Sequence, residues 1–323
     1  MYISMKEVIN ALRNIKSAVI LPHISADGDA IGSCRAMKSF LHDMGINAVI
    51  YTEESVEKRL EFLADGINVY EGDISPLPSD FDTCIVLDCG DEERLGKRIN
   101  MVRSASRVIN IDHHKTNTKF GDVNLVMPDA SATGEVLALV FKEAGAAFTK
   151  ETAYFLYAAI CSDTGRFAYT NTSPQTFRIA ADLIETGINH AEISHLLFEC
   201  SEPENELLLA ELIRTMHSYF GGRIRTVSAS EKLANQCGMQ MSDIQDIVDI
   251  PRRIRGTQIA ASFKEADGKV RVSMRSNDNS DVSEIALSFG GGGHAKAAGC
   301  TIDTNSLEEA ERKVVEACKS LIV

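Results

Sequence analysis

The sequence contains no tryptophan, and aromatic residues make up only 6% of its 323 positions. Cations are also short: 33 lysines and arginines face 46 aspartates and glutamates, for a formal net charge of −13. Proteins that coat long nucleic acid draw affinity from cations that neutralise phosphates and from rings that stack on bases. Both shortages argue against that role, while leaving room for a short anionic substrate drawn in by a local positive charge such as a metal. No apolar run approaches the roughly 20 residues that span a bilayer. The first stretch, MYISMKEVINALRNIKSAVILPH, lacks the apolar core and small-residue cleavage site of a signal peptide. A cytoplasmic protein with no membrane partner is expected. The eight cysteines include no CxxC pair, the closest two being Cys84 and Cys89. That spacing leaves neither a metal knuckle nor a disulfide framework and predicts free, mostly buried thiols.

A chain of 323 residues is long for one core, since single cores stop growing at around 250–300 residues. Its first half alternates apolar strand-like runs with helical spacing: AVILPH at 18–23, AIGSCRAMKSFLHDMG at 30–45, NAVIYT at 47–52, TCIVLDCG at 83–90 and RVINIDHH at 107–114. Alternation of this kind predicts an α/β domain with a mostly parallel sheet and helices on both faces. From Ala132 to about Phe220 the pattern is almost entirely helical. The last helical run is expected to start after Ser201 as cap, with Pro203 in its first turn. Strand patterning returns with GRIRTVSAS at 222–230, and the alternating runs around Asp267-Gly268 carry a strong hairpin signal. The expected organisation is a catalytic domain over 1–200, a helical linker over 201–221, and a smaller α/β domain with a mixed sheet over 222–323.

Three of the expected strands end in residues that ligate metals: His23 with Asp27 and Asp29, then Asp88, then Asp112, His113 and His114. Taken alone, Asp88 reads as a turn or cap residue, and His113 with His114 as a surface or core pair. Together they carry more weight, because binding crevices of open α/β sheets lie beyond the carboxyl ends of strands. Carboxylates and imidazoles without a nearby thiol suit Mn²⁺ or Mg²⁺, admit Zn²⁺ or Co²⁺, and do not suit an iron–sulfur cluster or a structural zinc. So many acids repel unless cations neutralise them, and two divalent ions account for the ligand number better than one. A two-metal site of this type makes phosphate-ester hydrolysis the default chemistry. Near the C-terminus, the glycine run at 290–293 lets backbone N–H groups approach a phosphate or a base. It does not fit a P-loop, because Lys296 is not followed by Ser or Thr. Arg275 has the chemistry for bidentate phosphate capture, against a plain exposed-strand reading. The basic PRRIRG at 251–256 reads as a solvated face.

These segments resemble the DHH phosphoesterase family, whose defining triplet stands here as Asp112-His113-His114. HISADGDAIGS, VLDCGD, IDHH and ICSDTGRFAYTNTSPQT look like its four catalytic motifs, and VSMRSN and GGGGHAKAAG like the signature of the DHH-associated domain. The resemblance implies one metal held by His23, Asp27, Asp88 and Asp163, and a second held by Asp29, Asp88, His113 and Asp163, so that Asp88 bridges. It implies that Asp112 orients an imidazole, that His114 faces the scissile phosphate, and that Arg275, Ser276, Gly291, Gly292, Gly293 and His294 bind substrate. The cofactor it implies is a pair of divalent ions, Mn²⁺ first, with Mg²⁺ or Co²⁺ as alternatives. Within the family the expectation is a nano-RNase and pAp-phosphatase: short RNA oligonucleotides and 3'-phosphoadenosine 5'-phosphate (pAp) as substrates, held between the two domains, and a homodimer as a compatible assembly. The alternatives are a phosphodiesterase of linear or cyclic dinucleotides such as pApA or c-di-AMP, and a catalytically inert nucleotide-binding sensor. A pyrophosphatase is disfavoured by the Gly-rich His signature, and a DNA exonuclease of this superfamily by chain length.

Overall fold

Parallel strands buried on both faces read as continuous apolar runs, and the central strands of the first sheet are of this kind, with six parallel strands in it among the described residues. The structure is a computed structural model that describes residues 5–70, 81–242, 244 and 247–322. β1 (Ser17–Leu21), β2 (Asn47–Thr52), β3 (Ile67–Val69), β4 (Thr83–Leu87), β5 (Arg107–Asp112) and β6 (Val123–Val126) pair in parallel in the order β3-β2-β1-β4-β5-β6. Successive side chains go to opposite faces. Ala18, Ile20, Ile85, Leu87 and Ile109 enter the larger core with α1 (Met5–Arg13), α2 (Gly28–Asp43), α4 (Thr133–Glu143) and α5 (Lys150–Asp163). Val19, Leu21, Cys84 and Val86 enter a smaller core closed by Leu95 and by Met101 of α3 (Ile99–Ser104). In this strand order the chain leaves β1 toward one edge and β4 toward the other, so the crevice of the doubly wound sheet lies where β1 and β4 stop.

Two helices are locked across each other by glycine. Gly28 and Gly32 of α2 lie against Ser162 and against Phe155 and Ala159 of α5, and Ser39 Oγ meets Thr152 Oγ1 at 2.9 Å. The helices therefore run antiparallel, and the C-terminus of α5 sits at the N-terminus of α2. Gly134 in the first turn of α4 also faces Ala159. Small residues at these crossings bring Asp163, the last residue of α5, to the strand ends. The unit is completed by α6 (Pro174–Glu185), whose Ser173 cap and Thr176 form a capping box, and α7 (His190–Phe198).

The chain divides into two units, Met1–Cys200 and Ser201–Val323. The second carries a mixed sheet of β7 (His217–Tyr219), β8 (Ile224–Ala229), β9 (Ile259–Ala266), β10 (Lys269–Ser276), β11 (Gly292–His294) and β12 (Ala297–Ile302), in the order β11-β12-β10-β9-β8-β7. Among the described residues only β8 and β9 pair in parallel there. The expected hairpin joins β9 to β10, with Asp267 at φ 51° and Gly268 at φ 75°, as a type I′ turn requires. α11 (Val282–Ser288) and α12 (Leu307–Cys318) cover one face of this sheet, and α8 (Pro203–Arg214), α9 (Glu231–Gln236) and α10 (Asp249–Arg252) the other.

Some details differ from the sequence-based expectation. The helix starting at Pro203 ends at Arg214, not near Phe220, and His217–Tyr219 form an edge strand. Its Leu208 and Leu212 pack with Val227, Ala229 and Ala234, so the stretch expected as a linker is a layer of the second unit. The helix cap falls on Glu202, with Ser201 one position earlier. β3 and β6 went unpredicted because strands of three and four residues show no periodicity. Among the described residues no helix is long and apolar enough to cross a membrane, and all cysteines except Cys200 are buried.

The α2–α5 crossing yields a test. A Cβ on Gly32 would lie 2.8 Å from the Phe155 carbonyl oxygen and 3.0 Å from Ala159 Cβ. Helix propensity alone favours Ala over Gly by about 1 kcal/mol, whereas overpacking a tight contact costs about 1–3 kcal/mol. Gly32→Ala is expected to lower stability in urea melts of the purified protein, reversing the sign that propensity predicts; a gain would show that the crossing tolerates the methyl group.

Candidate metal centre and active site

Every expected ligand of the first unit comes together at the crevice. β1 leads to His23, and Asp27 caps α2, accepting from the N–H groups of Asp29 and Ala30 at 3.0 and 3.1 Å. Asp29, fully buried, lies at the N-terminus of α4: its oxygens accept from Thr133 N–H at 2.7 Å, Gly134 N–H at 2.9 Å and Ser33 Oγ at 3.1 Å. Those are orphan amides at the positive end of a helix dipole, a natural seat for a carboxylate. After β4, Asp88 donates its N–H to Ile111 O at 3.1 Å and then turns sharply, with φ 55°. Few side chains other than Asn and Asp accept this left-handed conformation. It aims a buried carboxylate into the crevice instead of along the sheet.

Two imidazoles are held in matching states. His23 Nδ1 lies 2.6 Å from Ile24 O and His113 Nδ1 lies 3.3 Å from Ala130 O. A carbonyl at Nδ1 takes a proton there and leaves Nε2 with a lone pair, the form that binds a metal. His23 Nε2 faces Asp27 Oδ1 at 3.9 Å and Asp88 Oδ2 at 3.6 Å. His113 Nε2 faces Asp29 Oδ2 at 3.9 Å, Asp88 Oδ1 at 3.6 Å and Asp163 Oδ2 at 3.5 Å. These separations exceed hydrogen-bond length, yet they fall within the span of two donors that share an ion about 2.1 Å from each. The groups His23–Asp27–Asp88, Asp29–His113–Asp163 and Asp88–His113–His114 each place their donor atoms within 4.8 Å of one another. The two oxygens of Asp88 face different imidazoles.

The electrostatics favour cations. Burial pushes the Asp29 carboxyl well above its usual range, and the charges of Asp88, Asp163 and Asp27 add to the effect. Asp163 is pushed up to about 6, first by burial, with His113 opposing and Asp88 and Asp27 reinforcing. Asp163 also ends a helix, where the dipole disfavours an anion. Asp27, Asp29, Asp88 and Asp163 carry four negative charges when ionised, which two divalent ions would balance. Oxygen and imidazole donors with no thiolate fit hard to borderline divalent metals.

Asp112 and His114 are placed differently. Asp112 Oδ1 accepts from His114 Nδ1 and from His113 N–H, both at 2.8 Å, and Oδ2 accepts from Asn117 Nδ2 at 2.7 Å. Burial disfavours the Asp112 anion, but the bonds from His114 and Asn117 outweigh it and hold its proton affinity below the usual carboxylate range. The bond to Asp112 raises His114 to about 9, despite some burial, so its imidazole is cationic at neutral pH. Asn117 also reaches Asn110 Oδ1 at 2.8 Å and Cys89 O at 3.2 Å, binding the β5 end to the β4 end. Sequence reading passed over Asn117, although it closes the same VINIDHHKTN stretch that contains the histidines. It also passed over Arg94, whose Nη2 lies 3.0 Å from His23 Nδ1 and which stands in an acidic run that reads as solvated surface.

In the second unit, Arg275 on β10 and His294 on β11 both pair with Ala297 of β12. Directly opposed residues of antiparallel strands share a face. Arg275, Ala297 and His294 thus form one row with the small side chain in the middle. The glycine run is only partly explained by ligand access. Gly290 has φ 75°; Gly291 and Gly293 sit so close to Gly299, Cys300 and Ala298 that a Cβ would collide. Gly292 faces open space. Ser276 is buried and its Oγ donates to Asp278 O at 3.0 Å, which commits that hydroxyl to a turn.

A doubly wound sheet with a carboxylate–imidazole cluster at its switch point defines a divalent-metal hydrolytic centre. Residues 17–160 match the DHH family N-terminal domain and residues 229–321 match the DHHA1 domain. The chain is 31% identical to the bifunctional oligoribonuclease and PAP phosphatase NrnA of Thermus thermophilus, over 98% of this chain and 93% of that one. It is 27% identical to the protein of the same name from Bacillus subtilis, with 95% of each chain covered. Its fold superposes on an exopolyphosphatase-related protein from Bacteroides fragilis with a TM-score of 0.85 at 23% identity, covering 98% of this chain and 96% of the other. The chain belongs to the DHH phosphoesterase family, in the group that carries a DHHA1 domain.

Ligand carboxyls must lose their protons to bind a metal. Asp163, at about 6, takes up a proton in the metal-free protein as pH falls through 6, and burial shifts Asp29 in the same direction. Titration calorimetry in buffers of different ionisation enthalpy, run between roughly pH 7.5 and 5.5, is expected to show Mn²⁺ affinity falling steeply toward acid. Proton release on binding should shrink in Asp163→Asn. A flat profile would exclude these carboxyls as ligands.

Proposed function

We propose that this protein is a two-metal phosphohydrolase that degrades short oligoribonucleotides to mononucleotides and dephosphorylates pAp to AMP. The observation that carries the reading is Asp88, one carboxylate whose two oxygens address His23 and His113 separately. That arrangement supports two ions sharing Asp88, one with His23 and Asp27, the other with Asp29, His113 and Asp163, and the family resemblance would add Asp163 to the first set. Mn²⁺ fits best, because Mg²⁺ prefers oxygen donors throughout while this set includes imidazoles. When bound, two such ions supply an activated water and neutralise charge on the phosphoryl oxygens. The names of the relatives add the substrate class.

The chain's own residues do the rest. His114, cationic and pinned through Nδ1 by Asp112, keeps Nε2–H for the phosphate and donates that proton to the leaving oxygen. Asp112 cannot turn away to ligate, because Asn117 and His113 N–H hold it. In the second unit, Arg275 and His294 take nucleotide phosphates on either side of Ala297, and Gly292, where an added Cβ would meet nothing within 4 Å, leaves room for a ligand to approach the backbone. Gly291 and Gly293 keep β11 in place for that contact, and Ser276 sets the strand end rather than meeting substrate.

Two sets of measurements test this reading. Product analysis with Mn²⁺ on pAp, RNA of graded length, linear and cyclic dinucleotides and pyrophosphate is expected to give the highest kcat/KM for RNA of roughly two to five nucleotides, since a chain of net charge −13 has no extended basic track. Equal or faster cleavage of a strand of roughly 24 nucleotides at the same salt would point to a processive exonuclease. His114→Ala is expected to lower kcat by about 10²–10⁴-fold, while Arg275→Ala raises KM with metal content intact. Loss of metal in the Arg275 variant would refute that division.

A further inference from the structure

Arg94 is anchored to both sides of the crevice. Its N–H donates to Asp91 Oδ1 at 3.0 Å and its carbonyl accepts from Ile24 N–H at 2.7 Å, which ties the segment after β4 to the segment after β1. The side chain is half-buried and brings Nη2 to 3.0 Å from His23 Nδ1. That nitrogen cannot satisfy a guanidinium in the working enzyme. An imidazole that offers Nε2 to a cation carries its proton on Nδ1, and here that proton goes to Ile24 O at 2.6 Å. Two N–H groups then face each other. Among the described residues no carboxylate lies within ion-pair distance of Arg94, although Asp27 and Asp88 are both close to the same imidazole. Its charge is also felt at His114, where it opposes protonation. A fixed cation without an anion, beside an acid cluster that faces elsewhere, lacks a partner that a phosphate would supply.

We propose that Arg94 is a phosphate-binding residue of this site, which holds a non-bridging oxygen of the phosphate being cleaved, on the side of His23 that the ions do not use. The proposal rests on the phosphohydrolase reading and adds to it a recognition group supplied by the first unit. Guanidinium suits this role because its planar fork of donors matches phosphate oxygens, stays charged at any working pH, and sheds water more readily than ammonium. Backbone bonds on both sides of residue 94 limit how far the fork can wander.

The test uses full-length Mn²⁺-loaded protein, with inorganic phosphate as the probe. Calorimetry on wild type, Arg94→Gln and Arg94→Lys would report Mn²⁺ affinity and stoichiometry first and phosphate affinity second. The expected result is unchanged Mn²⁺ binding, a phosphate Kd raised about 10- to 100-fold in the Gln variant, and a smaller rise in the Lys variant. KM for pAp should rise in parallel with the phosphate Kd. Equal phosphate affinity in wild type and Arg94→Gln would overturn the proposal. So would a loss of Mn²⁺ affinity in both variants, which would make Arg94 a positioning residue for His23. If wild type binds Mn²⁺ but neither binds phosphate nor cleaves any phosphoester, the phosphohydrolase reading fails and this proposal falls with it.

Discussion

The first unit is organised around mutual repulsion of carboxylates. Asp27, Asp29, Asp88 and Asp163 converge on two imidazoles in a place where burial already disfavours charge. Most of the nearby structure makes this gathering tolerable. The amides of the α4 N-terminus hold Asp29, the N-terminus of α2 holds Asp27, and Thr133 Oγ1 donates to Asp88 at 3.0 Å. Carbonyls of Ile24 and Ala130 keep the imidazole lone pairs aimed inward. None of these bonds removes the net charge, which two divalent ions would balance. Folding thus gathers charge that a pair of divalent ions would neutralise, and the same pair would supply an activated water.

Proximity in that cluster depends on helix packing as much as on strands. Three of the four acids follow strand ends and are carried to one edge by parallel pairing alone. Asp163 instead arrives at the end of a helix, far along the chain from β1, and only the Gly28, Gly32 and Gly134 contacts let α5 come close enough. Buried glycine in a helix is unfavourable for the helix itself. Its presence at three facing positions marks where the fold gives up local propensity for a close approach that places a ligand.

The same division between strands and helices decides which parts were legible in the sequence. Strand ends with His23, Asp88 and Asp112–His114 could be read because the doubly wound fold sends all parallel strands' carboxyl ends to one side. Asp163 could not be read by that logic and entered through family resemblance. Asp88's left-handed turn leaves no trace in the sequence other than the residue type. The end of α8 was illegible for a different reason: no Gly or Pro closely follows Arg214. The helix stops where Thr215 Oγ1 donates to Ser228 O at 2.9 Å and accepts from Ser228 N–H at 3.0 Å, a contact with β8 that local pattern cannot reveal. The glycine run reads in sequence as a ligand-binding loop, yet Gly291 and Gly293 answer first to the approach of β11 to β12. At Gly292 an added Cβ would meet nothing within 4 Å, so that packing does not require glycine there.

An acidic protein that takes an anionic substrate must separate two length scales. With a net charge of −13, the surface repels phosphates beyond the site, but that repulsion fades over a Debye length of about 8 Å at physiological salt. Inside the site, individual groups at contact distance dominate. His114 is held cationic by a buried aspartate, and Arg275 and His294 share one row on the second sheet. On the proposed reading, a short substrate would keep its phosphates near groups of this kind. Each further nucleotide would then add a phosphate that a chain of net charge −13 repels on balance. On that reading, a preference for short substrates would follow from the balance of charge rather than from sequence readout.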